Sequence, residues 1–129
     1  MARQPTRPRR TANPSVVLDL VCERGLFLFV LFHRGSQPAR DISVKFRRKI
    51  IGMGGDLEIT ALPLWARLSF MPPGKEIRVP IDTAASFLAR DGGKLLSLVV
   101  SYTEGDENER WSSEITHDFT AYKDMPELL

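Results

Sequence analysis

Few side chains in this sequence could perform acid–base, nucleophilic or metal chemistry. The 129 residues include two histidines, His33 and His117, and one cysteine, Cys22. A zinc site usually needs three or four Cys, His or carboxylate ligands, and neither an HExxH motif nor paired CxxC motifs occur here. We therefore predict no metal site and no cofactor, with His33 bonded to turn backbone and His117 partly exposed on a strand. Cys22 lies in an apolar stretch and is expected to pack as a small hydrophobic residue.

Hydrolase and phosphate-loop signatures are also missing. No G-x-S-x-G nucleophile motif occurs, and Asp106 and Glu107 lie in a polar loop with no apolar pocket around them. The glycine-rich residues 52–55 lack the G-K-[ST] sequence and the helix of a P-loop, so we predict a flexible loop there. The sequence predicts a chain that is not an enzyme. A hydrolase site would require His33 or His117 within hydrogen-bonding distance of a nucleophile or carboxylate.

Two basic clusters could bind phosphates, because each neutralised phosphate releases counterions. One is the segment 1–14, which has four arginines and no acid, whereas the rest of the chain has 14 basic and 16 acidic side chains, a net charge of −2. The other is the run at residues 45–49. Nucleic acid or an anionic membrane is therefore an alternative partner. The candidate phosphate-binding residues are Arg7, Arg9, Arg10, Lys45, Arg47, Arg48 and Lys49.

Large apolar side chains could instead form a protein-binding surface. Trp65 follows Leu62-Pro63-Leu64 in a predicted connection, where we expect it to be partly exposed. An exposed tryptophan within an apolar patch favours a protein-binding surface. We therefore predict a partner-binding surface at Leu64, Trp65 and Arg67, within residues 59–70. An exposed sheet edge is the other route, through addition of a partner strand.

The elements that must position these residues are mostly strands. Alternating or continuous apolar stretches, separated by Gly, Pro and acidic turns, predict strands at residues 16–22, 26–33, 41–46, 57–61, 66–70, 76–81, 94–103 and 110–118. A short helix is predicted at residues 84–90, capped by Asp82 or Thr83. The stretch 26–33 is apolar on both faces, so we place it centrally in a sheet. This pattern predicts an all-β fold, an antiparallel sandwich of seven to eight strands with one short crossover helix, and leaves a closed barrel as the alternative.

The chain divides into an Arg/Pro-rich flexible arm (1–14), a β-sandwich domain (15–122) and a C-terminal tail (123–129). A single cysteine excludes an internal disulfide and suits a reducing compartment. The N-terminus lacks the apolar run of a signal peptide, and the longest apolar run is far shorter than a membrane helix needs. We therefore expect a cytoplasmic protein.

Three segments, in order, resemble parts of bacterial immunoglobulin-like (CARDB-like) β-sandwich domains. Residues 28–42 (LFVLFHRGSQPARDI) resemble their strand-turn-strand unit, with His33 where those domains have Asn. Residues 68–76 (LSFMPPGKE) are similar to their L-x-P-G-E turn, and residues 99–103 (VVSYT) with 114–119 (EITHDF) resemble their final hairpin. The resemblance implies an immunoglobulin-like sandwich with a scaffold role and implies no catalytic residues.

The sequence as a whole therefore predicts a non-enzymatic β-sandwich module that acts in protein–protein interaction or as a structural scaffold. The alternative is an electrostatic binder of nucleic acid or anionic membrane, using the arm and the basic run at residues 45–49.

Overall fold

A computed structural model describes residues 9–10, 13–91 and 95–125. The described chain folds as an all-β sandwich with two short α-helices. The strands and helices, in order, are β1 (Arg9–Arg10), β2 (Val16–Glu23), β3 (Leu26–His33), β4 (Ala39–Phe46), β5 (Ile51–Gly52), β6 (Leu57–Glu58), α1 (Leu64–Arg67), β7 (Leu68–Met71), β8 (Glu76–Thr83), α2 (Ala84–Asp91), β9 (Leu95–Glu104) and β10 (Arg110–Asp118).

Two sheets form the layers of the sandwich. Sheet A has the strand order β1-β10-β9-β4-β7, sheet B has the order β2-β3-β8, and β5 pairs with β6 in a small hairpin. All pairs are antiparallel except the two-residue β1, which runs parallel to β10. The prediction of an antiparallel β-sandwich is confirmed, and β3 is the central strand of sheet B as predicted.

The core lies between the inward faces of the two sheets. Along β9 every second residue from Leu96 to Tyr102 is fully buried, as expected for a strand with one face toward the core. Phe27 on β3 contacts Phe87 of α2 and Phe119 edge-on, with ring centroids 5.6 and 5.2 Å apart. Each such buried side chain contributes about 1.5–3 kcal/mol through removal of apolar surface from water.

The crossover helix α2 carries the chain from β8 in sheet B to β9 in sheet A, as predicted. Thr83 is its cap, since the Ser86 N–H donates to Thr83 Oγ1 at 3.2 Å. Arg90 in its last turn donates to Asp82 Oδ2 at 2.6 Å. None of the helices in the described ranges is long and apolar enough to cross a membrane.

The strand predicted at residues 66–70 is partly wrong. The chain forms α1 over Leu64–Arg67 before β7 begins, because Pro63 already has a helical backbone (φ −55°, ψ −28°) and its carbonyl accepts the N–H of Arg67 at 3.0 Å. Proline at the start of a helix loses no backbone hydrogen bond. The strand predicted at 57–61 is likewise short, since β6 ends at Glu58 and a 3-10 helix, Ile59–Ala61, follows.

The glycine-rich residues 52–55 are ordered by contacts with sheet B, which corrects the prediction of a plain loop. Gly52 belongs to β5 and lies so close to β8 that a Cβ there would be 2.1 Å from the Ile81 carbonyl oxygen. The Gly54 N–H donates to Asp82 Oδ2 at 3.0 Å. Only glycine permits this approach of two backbones, so the glycines position the hairpin against β8.

Candidate functional site

Trp65 lies in the core, not on the surface. It is only 3% exposed, its Nε1 donates to the Ile59 carbonyl at 2.7 Å, and its ring contacts Phe46 and Phe29 edge-on at 5.1 and 6.0 Å. The expectation of an exposed Trp65 is therefore wrong. The reason is tertiary: α1 folds inward beside β4, and the indole fills the gap between the two sheets.

The rest of the predicted apolar surface does not form a patch. Leu64 is half-buried against the core, and Arg67 is exposed. Phe70 on β7, at the end of the predicted segment 59–70, is exposed, and so is Leu95 at the start of β9. Leu64, Trp65 and Arg67 are therefore adjacent in sequence but face three different environments.

The basic run at residues 45–49 lines a groove of about 550 Å³ beside β4. One wall runs from Val44 in β4 to Lys49, beyond the end of that strand, and the other wall is formed by Glu58 and Thr60. Glu58 is the only carboxylate among the lining residues, which include four cations. The groove is therefore electropositive.

Two of the four cations, Arg47 and Arg48, form ion pairs with carboxylates of this chain. Arg47 Nε donates to Glu114 at 2.9 Å on the outward face of sheet A, and this pair is largely exposed. Arg48 forms a two-pronged pair with Asp91 at 2.8 and 3.0 Å and also donates to the Leu95 carbonyl. Arg48 therefore fixes the end of α2 to sheet A.

The other two cations, Lys45 and Lys49, are exposed, and neither side chain has a hydrogen bond or ion pair within the described part of the chain. Their ammonium groups are free to pair with an incoming anion. The sequence singled out both residues, and the structure places both at the groove.

The side of β4 that faces away from β9 is flanked first by β7 and then by α1. The Arg47 N–H donates to the Ser97 carbonyl, so Lys45 and Arg47 turn their backbone groups toward β9. In an antiparallel ladder the backbone groups of the residues between such pairs point the other way, so those of Val44 and Phe46 point away from β9. On that side β7 pairs with β4 only as far as Ile42, and α1 packs beside the rest of the strand.

The far end of the groove is closed by hydrogen bonds. The Ile59 N–H donates to the Ile50 carbonyl at 2.8 Å, and the Ile50 N–H donates to Thr60 Oγ1 at 3.1 Å. These bonds hold the Glu58 wall at a fixed position relative to the basic run.

A smaller pocket of about 250 Å³ continues along β4 past its bulge. It is lined in part by Ser43, Arg67 and Arg110, and Arg110 is anchored by the Asp41 carbonyl at 2.7 Å. Asp41 adopts a left-handed backbone (φ 51°) at the irregularity between Arg40 and Ser43. The bulge therefore adds two more guanidinium groups to the same side of the sandwich.

Within the described residues, the backbone of the basic arm lies apart from the groove. Arg7 lies outside the described residues. Arg9 and Arg10 form β1, which pairs with β10 at Trp111 and Ser112, at the opposite end of sheet A from the groove. With β10 and β9 between them, β1 and β4 are about 14 Å apart at the usual strand spacing.

Both histidines form hydrogen bonds with backbone groups. His33 is buried, its Nδ1 accepts the Gly35 N–H at 3.0 Å, and its Nε2 bonds the Gln37 carbonyl. It therefore bonds the backbone of the turn, as predicted. His117 bonds the Leu18 carbonyl at 2.9 Å through Nε2.

Neither histidine hydrogen-bonds a nucleophile or a carboxylate within the described ranges. The nearby hydroxyl of Ser15 donates directly to the Glu104 carboxylate at 2.9 Å, with no imidazole between them. Cys22 is half-buried against the core. The residues that the structure describes contain no group of three or more His, Cys, Asp or Glu side chains that could hold a metal ion.

No protein-family model, curated protein or solved structure matches this chain. The function proposed for the groove therefore rests on its geometry and charge. Sequence reasoning identified the cations of the groove but missed its second wall, which Glu58 and Thr60 form. No local pattern signals that wall, because residues 58–60 meet the basic run through the hydrogen bond between Ile59 and Ile50.

Proposed function

We propose that this domain is a non-enzymatic interaction module that binds a protein partner at the groove beside β4. The observation that carries the proposal is the electropositive groove, where the exposed ammonium groups of Lys45 and Lys49 lie in a lining that holds a single carboxylate, Glu58. Charge complementary to a partner surface favours and orients association. The resemblance to immunoglobulin-like scaffold domains supports the same interpretation.

A binding role also suits the chemistry of the site. The lining side chains are cations, one carboxylate, one hydroxyl and apolar groups, with no histidine or cysteine among them. Such a set offers charge and hydrogen bonds to a partner. Proton transfer near neutral pH usually relies on histidine or on a carboxyl group held in an apolar site.

The second candidate function is electrostatic binding of nucleic acid or anionic lipid. The free ammonium groups of Lys45 and Lys49 favour it, together with the guanidinium groups of Arg67 and Arg110 farther along the same strand. Its affinity would fall steeply with salt, because counterion release would drive it. Backbone geometry would matter little to such a ligand.

Site-specific photo-crosslinking in the cell that makes the protein tests the leading proposal. A benzoyl-phenylalanine at Glu58, on the groove wall, should capture a discrete protein, since that side chain lines the groove. The matched control is the same residue at Asp19, which is exposed on the outward face of sheet B. The captured protein should then bind the purified domain in a 1:1 complex. Equal capture from both positions, or none from position 58, would contradict the proposal.

A further inference from the structure

The pocket of about 250 Å³ beside the bulge of β4 has the donors that a phosphate group requires. Its lining includes the guanidinium groups of Arg67 and Arg110 and the hydroxyl groups of Ser43 and Ser69. A guanidinium group offers paired N–H donors in one plane, which match two oxygens of a phosphate, and a serine hydroxyl can donate to a third oxygen. The pocket therefore combines positive charge with hydrogen-bond donors.

Arg110 is already positioned in the free protein. Its Nη2 donates to the Asp41 carbonyl at 2.7 Å and to Ser101 Oγ at 3.1 Å. Asp41 lies in the bulge and pairs with neither β7 nor β9, so its carbonyl is available to the guanidinium group. Within the described part of the chain, Nε and Nη1 of Arg110 have no hydrogen bond. A ligand can bind these donors without ordering the side chain first, which lowers the cost of binding.

Arg67 reaches the pocket from the other side of β4. It is the last residue of α1, it is exposed, and its side chain has no hydrogen bond or ion pair among the described residues. The hydroxyl groups of Ser43 and Ser69 have no partner there either. Asp41 is the only carboxylate in the lining, against the two cations Arg67 and Arg110. The pocket is therefore positively charged, and an anion would satisfy donors that the described protein leaves without partners.

The volume of the pocket limits which anion it can hold. At about 250 Å³ it is smaller than the roughly 300–1,000 Å³ of pockets that enclose a drug-sized molecule. Single-stranded nucleic acid also needs aromatic platforms for its bases, and the lining, drawn from the described residues, includes no aromatic ring. One phosphorylated side chain fits the pocket better than a nucleotide does.

The number of donors favours a phosphate over a carboxylate. A carboxylate has two oxygens, which one guanidinium group can satisfy. A phosphorylated side chain carries a charge of about −1.5 to −2 at pH 7 and has three acceptor oxygens. It can therefore bind both Arg67 and Arg110 and still accept a hydrogen bond from Ser43 or Ser69. Arginine clusters are a common means of recognising phosphorylated protein segments.

The pocket adjoins the electropositive groove. The lining of the pocket along β4 ends at Ser43, and the lining of the groove begins at Val44. Ser43 and Lys45 lie on the outward face of β4, two residues apart, which is about 7 Å at the usual rise of a strand. A partner segment in the groove can therefore present a side chain to the pocket.

We propose that this pocket binds the phosphate group of a phosphorylated side chain of the partner protein. Arg67 and Arg110 bind the phosphate oxygens, and the hydroxyl groups of Ser43 and Ser69 donate to them. This inference rests on the proposed function and specifies how the partner is recognised. Binding at the pocket would make the association depend on phosphorylation of the partner.

A library of nine-residue peptides with random positions around a central phosphoserine or phosphothreonine, selected on the full chain, tests the pocket. The enriched phosphopeptides should bind at least about tenfold more tightly than the same sequences with an unmodified residue or with Glu at the centre. Equal affinity of the three forms would overturn the inference.

Arginine variants locate the binding. Arg67→Gln should weaken binding of the phosphopeptide at least about tenfold, and its fold should be unaffected because the side chain has no bond among the described residues. Arg110→Lys should also weaken binding, since it keeps the charge and loses the paired donors. The matched control is Arg24→Gln, which removes an exposed guanidinium group at the turn between β2 and β3. It should bind as the unmodified chain does, and an equal loss in Arg24→Gln would contradict a site at the pocket.

The dependence of binding on pH distinguishes a phosphate from a carboxylate. The second pKa of a phosphorylated side chain is about 6, so the ester gains a proton and loses one charge between pH 7.5 and pH 5.5. Affinity measured by titration calorimetry should therefore fall severalfold across this range. The same peptide with Glu at the centre is the control, because a carboxyl group with a pKa of about 4.3 stays charged. Equal affinity of the phosphopeptide at both pH values would overturn recognition of the doubly charged phosphate.

The protein captured by crosslinking at position 58 separates this inference from the proposed function. Phosphatase treatment of that protein should weaken its binding at least about tenfold. Unchanged binding would overturn the role of the phosphate and leave the protein-binding function standing. If phosphopeptides bind but position 58 captures no protein, the chemistry of the pocket stands and the groove is not the partner site.

Competition identifies the source of the phosphate. Inorganic phosphate that displaces the phosphopeptide with equal affinity would show that the pocket binds the free anion and would contradict the inference. A single-stranded oligonucleotide that binds as tightly as the phosphopeptide, with the same loss in Arg67→Gln, would favour the electrostatic function instead.

Discussion

At the scale of single residues, Trp65 links the 3-10 turn at Ile59 to both sheets, through one hydrogen bond and through ring contacts. Its indole N–H satisfies the carbonyl of Ile59 in the 3-10 turn, while its ring contacts Phe46 of sheet A and Phe29 of sheet B. A buried carbonyl that loses its donor has no water to replace it. Trp65 therefore also supports the floor of the groove.

Trp65→Phe should destabilise the fold by about 1–3 kcal/mol, because the carbonyl of Ile59 loses its partner and part of the ring volume is lost. Urea unfolding followed by far-UV circular dichroism measures the change. Trp111→Phe is the control, since Trp111 is half-buried and its Nε1 bond to Glu107 is long and exposed, at 3.3 Å. It should cost less than about 1 kcal/mol. Equal losses of stability in the two variants would show that the buried hydrogen bond of Trp65 contributes no more than the exposed bond of Trp111.

At the scale of elements, the edges of the two sheets are covered in different ways. The edge of β2 that faces away from β3 is covered by side chains from the end of the chain, since His117 bonds the Leu18 carbonyl and Tyr122 Oη donates to the Leu20 carbonyl at 3.0 Å. The edge of β8 is approached by β5 at Gly52. The half of β4 beyond Ile42 is covered by α1, which packs beside it where the pairing with β7 has ended.

The contact between Tyr122 and β2 makes stability fall at alkaline pH. Burial raises the pKa of Tyr122 above its usual value near 10, and the charges of Asp19 and Cys22 act in the same direction. The folded state therefore holds the phenol proton more tightly than the unfolded state does. The stability that this difference in pKa adds to the folded state is fully present below about pH 10. It is lost as the pH rises through the higher pKa of Tyr122 in the folded state.

Tyr122→Phe should lower the free energy of unfolding by about 0.5–1.5 kcal/mol at pH 8, through loss of the bond to Leu20. The wild-type chain should then lose stability more steeply than the variant above pH 10. Urea unfolding at several pH values from 8 to 11 measures both slopes. Parallel curves would contradict a role for the Tyr122 proton.

At the scale of the whole molecule, the two sheets share one core. The buried cluster includes residues from β2, β3 and β8 on one side and from β4, β9 and β7 on the other. Neither sheet could bury its apolar face alone, so the layers should unfold together.

Unfolding in urea should therefore give a single transition. Fluorescence, dominated by the environment of the buried Trp65, and far-UV circular dichroism, which reports both sheets, should have the same midpoint and slope. The Trp111→Phe variant makes the fluorescence signal specific to Trp65. Two separated midpoints would mean that β4 and its neighbours unfold independently of sheet B.

The sequence by itself determined the strands and the class of fold. Alternation of apolar and polar residues places a strand's side chains on two faces, and this is a local property that neighbours in sequence define. The long strands β2, β3, β8, β9 and β10 and helix α2 were therefore predictable. The cations of the groove were also visible, because Lys45 and Lys49 belong to one short basic run.

Only the tertiary structure decided where Trp65 lies and which elements flank β4. Pro63 starts a helical turn that delays β7, and this turn places α1 beside the second half of β4 while burying the indole. Whether a strand has a neighbour depends on a distant segment meeting it in space, so no local pattern records it. For this reason the sequence could name the charged residues of the site but not the elements that surround them.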